Sequence, residues 1–214
     1  RFGLLSLDWD RCEEVHETLG HDYGDVLLKE VAARLRECVR DVDTIARLGG
    51  DEFIIVLGQL TNIANVERIA RNILGLLAEP FQLDLETAYI STSIGITFYP
   101  EDASDVATLL KNVDQAMYAA KENGRDCFQY FTPSMQKEAL ARMALINDLR
   151  MALPNNQFQL AYQPIVELHT GAIHKAEALI RWKHPLRSFV GPGDFIQLAE
   201  ETGMINDIGD WVCK

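Results

Sequence analysis

The residues with the greatest chemical potential stand in ARLGGDEFIIVL, positions 46–57, where two glycines and two carboxylates interrupt a pair of apolar runs. Ile45–Leu48 and Phe53–Leu57 read as strands, and Gly49-Gly50 between them is a hairpin signal, because glycine adopts positive φ without strain. Asp51 and Glu52 would then project from the turn at a rigid sheet edge. A solvated hairpin tip explains the same residues, so the tip needs a partner. LDWD, residues 7–10, supplies one. Here the apolar run GLLSL ends in acid, and Asp8 on a neighbouring strand can converge with Asp51. Hard oxygen ligands at strand ends suit Mg²⁺, above all when phosphate completes the shell. Two such ions can activate a hydroxyl and stabilise a leaving pyrophosphate. Asp10 reads equally as a metal ligand or as the cap of a following helix.

These residues need a scaffold, and the periodicities supply one. Residues 3–8 read as a buried strand. Asp22–Arg40 reads as a helix with Val26, Val31, Leu35 and Cys38/Val39 on one face. A second helix over roughly 64–78 carries Val66, Ile69, Ile73, Leu74 and Leu77. From Ala88 to Phe98 alternate residues fall on one face of a strand. Asp105 can cap a helix that runs to Asn123 and stops at Gly124, and CFQYF closes the unit near residue 131. The order βαββαβ predicts an α/β (α+β sandwich) fold, a central, mostly antiparallel sheet flanked by helices over residues 1–131. Residues 132–153 read as a connecting helix with Met135, Leu140, Met143 and Leu149 as its stripe. Residues 154–214 carry two strands around a Thr-Gly turn and two helices near 193–201 and 204–213, too few strands to close a second sheet.

Composition narrows the function. A net charge of −12 opposes a nucleic-acid polymer as partner but permits a nucleotide, which needs only a few cations and a metal. No apolar run is long enough to span a membrane and no signal segment opens the chain. Cys12, Cys38, Cys127 and Cys213 have no CxxC spacing, which suits a reducing, cytoplasmic setting, including the cytoplasmic part of a membrane-anchored sensor.

RLGGDEF, LDWD…LGHDYGD, STSIGITFYP and MYAAKENGRD together resemble a bacterial GGDEF domain, the diguanylate cyclase family, over about residues 1–131. YQPIVELHTG, AEALIRWKHP and FIQLAEETGMI resemble the beginning of an EAL domain, the cyclic di-GMP phosphodiesterase family and a barrel fold. The first resemblance implies that two GTP condense to cyclic di-GMP with loss of two pyrophosphates, across a homodimer, with an N-terminal sensor domain preceding the chain. It implies Mg²⁺ or Mn²⁺ held by Asp8, Asp51 and the backbone carbonyl of Trp9. Glu52 is implied as a further ligand or as the base for the 3′-hydroxyl. Gly49 and Gly50 would let the backbone approach the nucleotide. Lys121 and Arg125, four apart at a helix end, would reach the β- and γ-phosphates, although such a pair also complements the helix dipole.

Arg40-Asp41-Val42-Asp43 fits the family's RxxD motif, which binds product and inhibits; a surface ion pair accounts for the same residues. The chain departs from the family at CEEVHE, Cys12–Glu17. His16 stands at the guanine-binding asparagine position and Glu13 at a lysine position, while Asp25 keeps the second guanine contact. A neutral imidazole nitrogen donates or accepts, where an amide does both. This weakened base site supports an alternative reading, a regulatory module that binds GTP or cyclic di-GMP. In the EAL portion, Glu177 matches a metal ligand, Gln163 a substrate contact and Arg181 a phosphate contact. The remaining ligands and the base of that family are expected beyond residue 214, so residues 154–214 alone should not hydrolyse cyclic di-GMP.

Overall fold

The computed structural model describes residues 1–10, 21–60, 62–83 and 86–213. The chain divides into two compact units, Arg1–Lys137 and Glu138–Lys214. In the first, β1 (Phe2–Asp10), α1 (His21–Cys38), β2 (Thr44–Gly49), β3 (Glu52–Leu57), α2 (Ala64–Ala78), β4 (Phe81–Leu83), β5 (Glu86–Ala88), β6 (Ser91–Tyr99), α3 (Val106–Glu122) and β7 (Phe128–Tyr130) follow one another. Five strands form one sheet in the order β2-β3-β1-β6-β7, and β4 pairs with β5 apart from it. The β2–β3, β3–β1 and β1–β6 pairings are antiparallel; β6–β7 is parallel. The mixed, mostly antiparallel α/β sheet matches the expectation.

Both faces of the sheet are covered. Leu5, Leu7 and Trp9 of β1 pack in one core with Leu27, Val31 and Leu35 of α1 and with Val66, Ile69, Ile73 and Leu77 of α2. Leu4 and Ile54 face the other way, onto Leu109 and Val113 of α3. Two sequence expectations shift as a result. Val26 is 42% exposed, and Leu27 takes its place in the α1 stripe with Val31 and Leu35 at helical spacing. The run from Ala88 is two strands rather than one, and β6 is buried on both faces because it lies inside the sheet.

Small residues on the second face of β6 decide how closely α3 approaches. A Cβ on Gly95 would lie 2.1 Å from the Val113 carbonyl oxygen and 2.4 Å from the Met117 nitrogen. Any side chain there would lift the helix off the sheet. Asp105 caps α3 as expected, accepting from the Thr108 N–H at 2.9 Å, and Gly124 ends it at φ 104°.

The second unit contains most of α4 (Pro133–Ala152), then β8 (Phe158–Val166), β9 (Ile173–His184), β10 (Ser188–Val190), α5 (Pro192–Glu201) and α6 (Ile205–Val212). Its sheet, in the order β10-β9-β8, is open. Phe158, Trp182, Phe195 and Leu198 form its core with Leu145 and Leu149 of α4. Leu140 and Met143, assigned to the α4 stripe from spacing, are 59% and 66% exposed.

Candidate functional site

Along β1 the face toward α3 changes from apolar to charged: Leu4, Ser6, Asp8. The neighbouring strand changes in step, since Leu4 faces Val56, Ser6 faces Ile54 and Leu7 faces Phe53. One residue further, Glu52 comes alongside Asp8. Helix α3 runs over this edge in the same direction. Leu109 and Val113 cover Leu4, Met117 reaches Ser6, and Lys121 Nζ lies 2.7 Å from Asp8 Oδ1. The match is metrical: four helical residues advance about 6 Å and two strand residues about 7 Å. Close packing at Gly95 therefore carries Lys121 onto Asp8.

The hairpin forms as its glycines require. Gly49 pairs with Glu52, leaving Gly50 and Asp51 as the two turn residues, and Gly50 has φ 54°. Arg47 Nε donates to the Gly50 carbonyl at 2.8 Å and steadies the tip. Glu52 Oε1 accepts from the buried Ser6 hydroxyl at 3.2 Å. Burial, first, raises the Asp8 pKa; the Lys121 hydrogen bond and charge lower it, and the charges of Asp51 and Glu52 raise it again, leaving it above the ordinary aspartate value. Asp114 is likewise raised, by burial and then by Glu52. Negative charge thus accumulates at this sheet end beyond what Lys121 cancels.

Such a set suits a hard divalent cation. Among the described residues no three His, Cys, Asp or Glu side chains are grouped closely enough to hold a metal by themselves, so phosphate oxygens would have to complete the shell. Trp9, whose carbonyl the resemblance implicates, has its indole buried and stacked on Phe53 at 6.4 Å between centroids. Asp25 lines a concavity of about 430 Å³ between α1 and β2, with Leu28, Lys29, Arg36 and Arg47. His16, and CEEVHE with it, lies outside the described residues.

Two expectations change. Arg125 does not share a helix face with Lys121: α3 ends at Glu122, and Arg125 sits in the following loop at φ 65°, its N–H bonded to the Ala120 carbonyl at 3.1 Å. Asp10 is a buried acceptor for two serine hydroxyls and a loop N–H, which accounts for its carboxylate without a metal. Spacing alone could not reveal this, because Ser91, Ser93 and Asp126 are more than 80 residues away.

Arg40 and Asp43 are brought together closely. Asp43 Oδ2 accepts from Arg40 Nε and from the Arg40 backbone N–H, each at 3.0 Å. Its Oδ1 accepts from Arg40 Nη2 at 2.8 Å and from the Gly58 N–H at 3.0 Å. Arg40 Nη2 also donates to the Gly58 carbonyl at 2.7 Å. Burial alone would raise the Asp43 pKa, but the Arg40 side chain, the two N–H groups and the guanidinium charge together hold it below the ordinary aspartate value.

In the second unit Gln163 faces Glu177 and Gln159 faces Arg181 across β8 and β9. Strand alternation puts Gln163, Glu177 and Arg181 on one sheet face, opposite the face that buries Phe158 and Trp182. Glu177 and Arg181 stand four residues apart, about 13 Å along the strand. His184, buried behind them, accepts at Nδ1 from the N–H groups of Leu186 and Arg187 at 3.1 Å. Its proton is therefore on Nε2, 3.0 Å from Asp148 Oδ2 of α4.

The family described as diguanylate cyclase, GGDEF domain matches residues 1–127, and the EAL domain family matches residues 146–214. The chain belongs to the GGDEF family, with EAL sequence following. The bifunctional diguanylate cyclase/cyclic di-GMP phosphodiesterase MucR of Pseudomonas aeruginosa is 42% identical over 212 residues, 99% of this chain and 31% of that protein. The cyclic di-GMP phosphodiesterase PdeR of Escherichia coli is 40% identical over 212 residues, 99% of this chain and 32% of PdeR. The chain thus spans about a third of the length of these relatives. Among solved structures, the GGDEF domain of PA1120 (TpbB or YfiN) from P. aeruginosa has TM-score 0.63 at 38% identity, covering 65% of this chain and 81% of that one. The active GGEEF domain of a diguanylate cyclase from Vibrio cholerae has TM-score 0.55 at 30% identity, covering 61% and 83%. Among the described residues no helix is long and apolar enough to cross a membrane.

Proposed function

We propose that residues 1–131 form a cytoplasmic diguanylate cyclase domain that condenses two GTP to cyclic di-GMP and is inhibited by its product. The observation that carries this reading is the convergence of Asp8, Glu52 and Lys121 at one sheet end, beside the turn that bears Asp51. Asp8, Asp51 and the Trp9 carbonyl would hold Mg²⁺ or Mn²⁺, which neutralises phosphate charge and lowers the pKa of an attacking hydroxyl. Glu52, with Oε1 fixed by Ser6, has Oε2 to accept the proton of the 3′-hydroxyl. The ribose 3′-oxygen, its proton lost to Glu52, then attacks the α-phosphorus of a GTP held by a second subunit, and pyrophosphate leaves.

Gly49 and Gly50 leave backbone room for the nucleotide, and Asp25 accepts guanine N–H groups. Lys121, paired with Asp8, would exchange that carboxylate for the more highly charged β- and γ-phosphates, with Arg125 as a second cation. Arg40 and Asp43 form the product site. In the second unit Glu177, Gln163 and Arg181 form part of a phosphodiesterase surface for cyclic di-GMP. Incubation of the complete two-domain protein with GTP and Mg²⁺, following both formation and breakdown of cyclic di-GMP, tests the reading. Absence of any formation defeats it.

One observation supports a second reading. PdeR, named for phosphodiesterase activity alone, aligns with this chain over the same length as MucR. In that reading the domain binds GTP or cyclic di-GMP and regulates the EAL domain. His16→Asn tests the weakened base site behind this reading: an amide would supply the paired contact, and GTP should bind up to about ten- to a hundredfold more tightly, with better rejection of ATP. Weaker GTP binding by that variant would make the imidazole a working contact.

A further inference from the structure

Asp10 is the most heavily engaged carboxylate near the site that the proposed chemistry does not use. It is only 6% exposed. Oδ1 accepts from Ser93 Oγ at 2.7 Å, and Oδ2 accepts from Ser91 Oγ at 2.7 Å and from the Asp126 N–H at 3.1 Å. The two serines belong to β6, the partner of β1. The N–H belongs to the loop after α3, immediately beside Arg125.

That loop needs holding. Gly124, Arg125 and Asp126 are all left-handed, at φ 104°, 65° and 47°, and for the two non-glycine residues this conformation is intrinsically unfavourable. Among the described residues its backbone is held by the Arg125 N–H to the Ala120 carbonyl at 3.1 Å, the Asp126 N–H to Asp10, and the Cys127 carbonyl from the Ile94 N–H at 3.0 Å. The first ties the loop to α3 and the last to β6. Among the described residues the middle one is what ties it to β1, the strand that carries Asp8. The Asp10 carboxylate is itself oriented by the two serines, so its acceptor lobe is fixed in direction.

From this geometry we infer that Asp10 is the positioning residue of Arg125, setting the guanidinium's distance from the phosphate position beside Asp8. Asp10 touches no substrate; it acts through the loop backbone. The inference rests on the proposed role of Arg125 as a phosphate ligand. It adds that β1 controls both the Asp8 end and the Arg125 end of that position, through two side chains two residues apart.

The test is calorimetric binding of GTP and of GMP to the full chain, because GMP lacks the phosphates that Arg125 would meet. Asp10→Ala should weaken GTP binding about tenfold and leave GMP within about twofold. Asp10→Asn should restore most of the loss, since its carbonyl can replace Oδ2 while its amide donates to the Ser93 hydroxyl. In an Arg125→Ala background, Asp10→Ala should cost GTP binding nothing more. Equal weakening of GTP and GMP, or additive losses with Arg125→Ala, would overturn the inference and leave Asp10 a fold residue. If Arg125→Ala alone binds GTP like the wild type, the phosphate role of Arg125 fails and the inference falls with it. Should Asp10→Ala not fold, Ser91→Ala with Ser93→Ala removes the orienting hydroxyls. A loss of about threefold for GTP alone then supports the inference, and equal loss for both ligands overturns it.

Discussion

Asp43 and Asp51 flank the same strand, one entering β2 and the other in the turn that leaves it, yet they meet opposite surroundings. Asp43 has a side chain with no exposed surface, and it accepts four hydrogen bonds from Arg40 and Gly58. Asp51, among the described residues, makes no hydrogen bond or ion pair and faces the charges of the site. A carboxylate whose lone pairs are all satisfied by the fold stabilises that fold. One left unsatisfied at a rigid tip can meet a cation or phosphate-bound metal. Both belong to recognisable motifs, but the Asp43 carboxylate is engaged in orienting Arg40 and holding the Gly58 N–H, whereas that of Asp51 is left open to a ligand.

The largest effect should come from Asp51→Ala. Turnover of GTP to cyclic di-GMP should fall by about a thousandfold or more, while the melting temperature moves by no more than about 2 °C. Comparable turnover by the variant would remove Asp51 from the site and erase the contrast with Asp43.

Asp43→Ala should do the reverse. It leaves the Gly58 N–H and the Arg40 fork without their acceptor, and the fold should lose about 2–3 kcal/mol, measured by denaturant unfolding. The pH dependence sharpens this. Because the folded pKa of Asp43 lies below its unfolded value, its stabilisation is complete above about pH 4 and disappears as pH falls through the lower folded value. The wild type should therefore lose more stability on acidification than Asp43→Ala does, and parallel curves would contradict the hydrogen-bonded role.

A smaller effect on catalysis is expected from Arg40→Ala, which should relieve product inhibition with little change in initial rate. Arg40 Nη1 makes no hydrogen bond among the described residues, so that nitrogen can meet a phosphate while Nε and Nη2 remain on Asp43 and the Gly58 carbonyl. Calorimetry with cyclic di-GMP decides the matter: an affinity reduced about tenfold supports a product site, and equal affinity makes residues 40–43 purely a fold staple.

Much of this protein could be read in one dimension. The Gly50 turn, the Asp105 cap and the Gly124 stop depend on contacts a few residues apart, which sequence spacing records directly. That Asp8 and the Asp51-Glu52 turn lie on neighbouring strands, close enough to feel one another's charge, was also legible, because the apolar run of each strand ends at its acid. Elsewhere the deciding neighbours lie far along the chain. Leu27 rather than Val26 enters the core because of where α1 meets the sheet, and a shift of one residue turns a helical side chain by about 100°. Arg125 left the helix face because Gly124 closes α3 before it. Asp10 acquired its hydrogen-bond donors from Ser91, Ser93 and Asp126, and Asp43 one of its own from Gly58. Residue types and local spacing thus determined which groups could do chemistry and which elements would carry them. Which carboxylates remain open to do it was decided only in the tertiary structure, because satisfaction of a polar group depends on donors that the fold brings from distant parts of the chain.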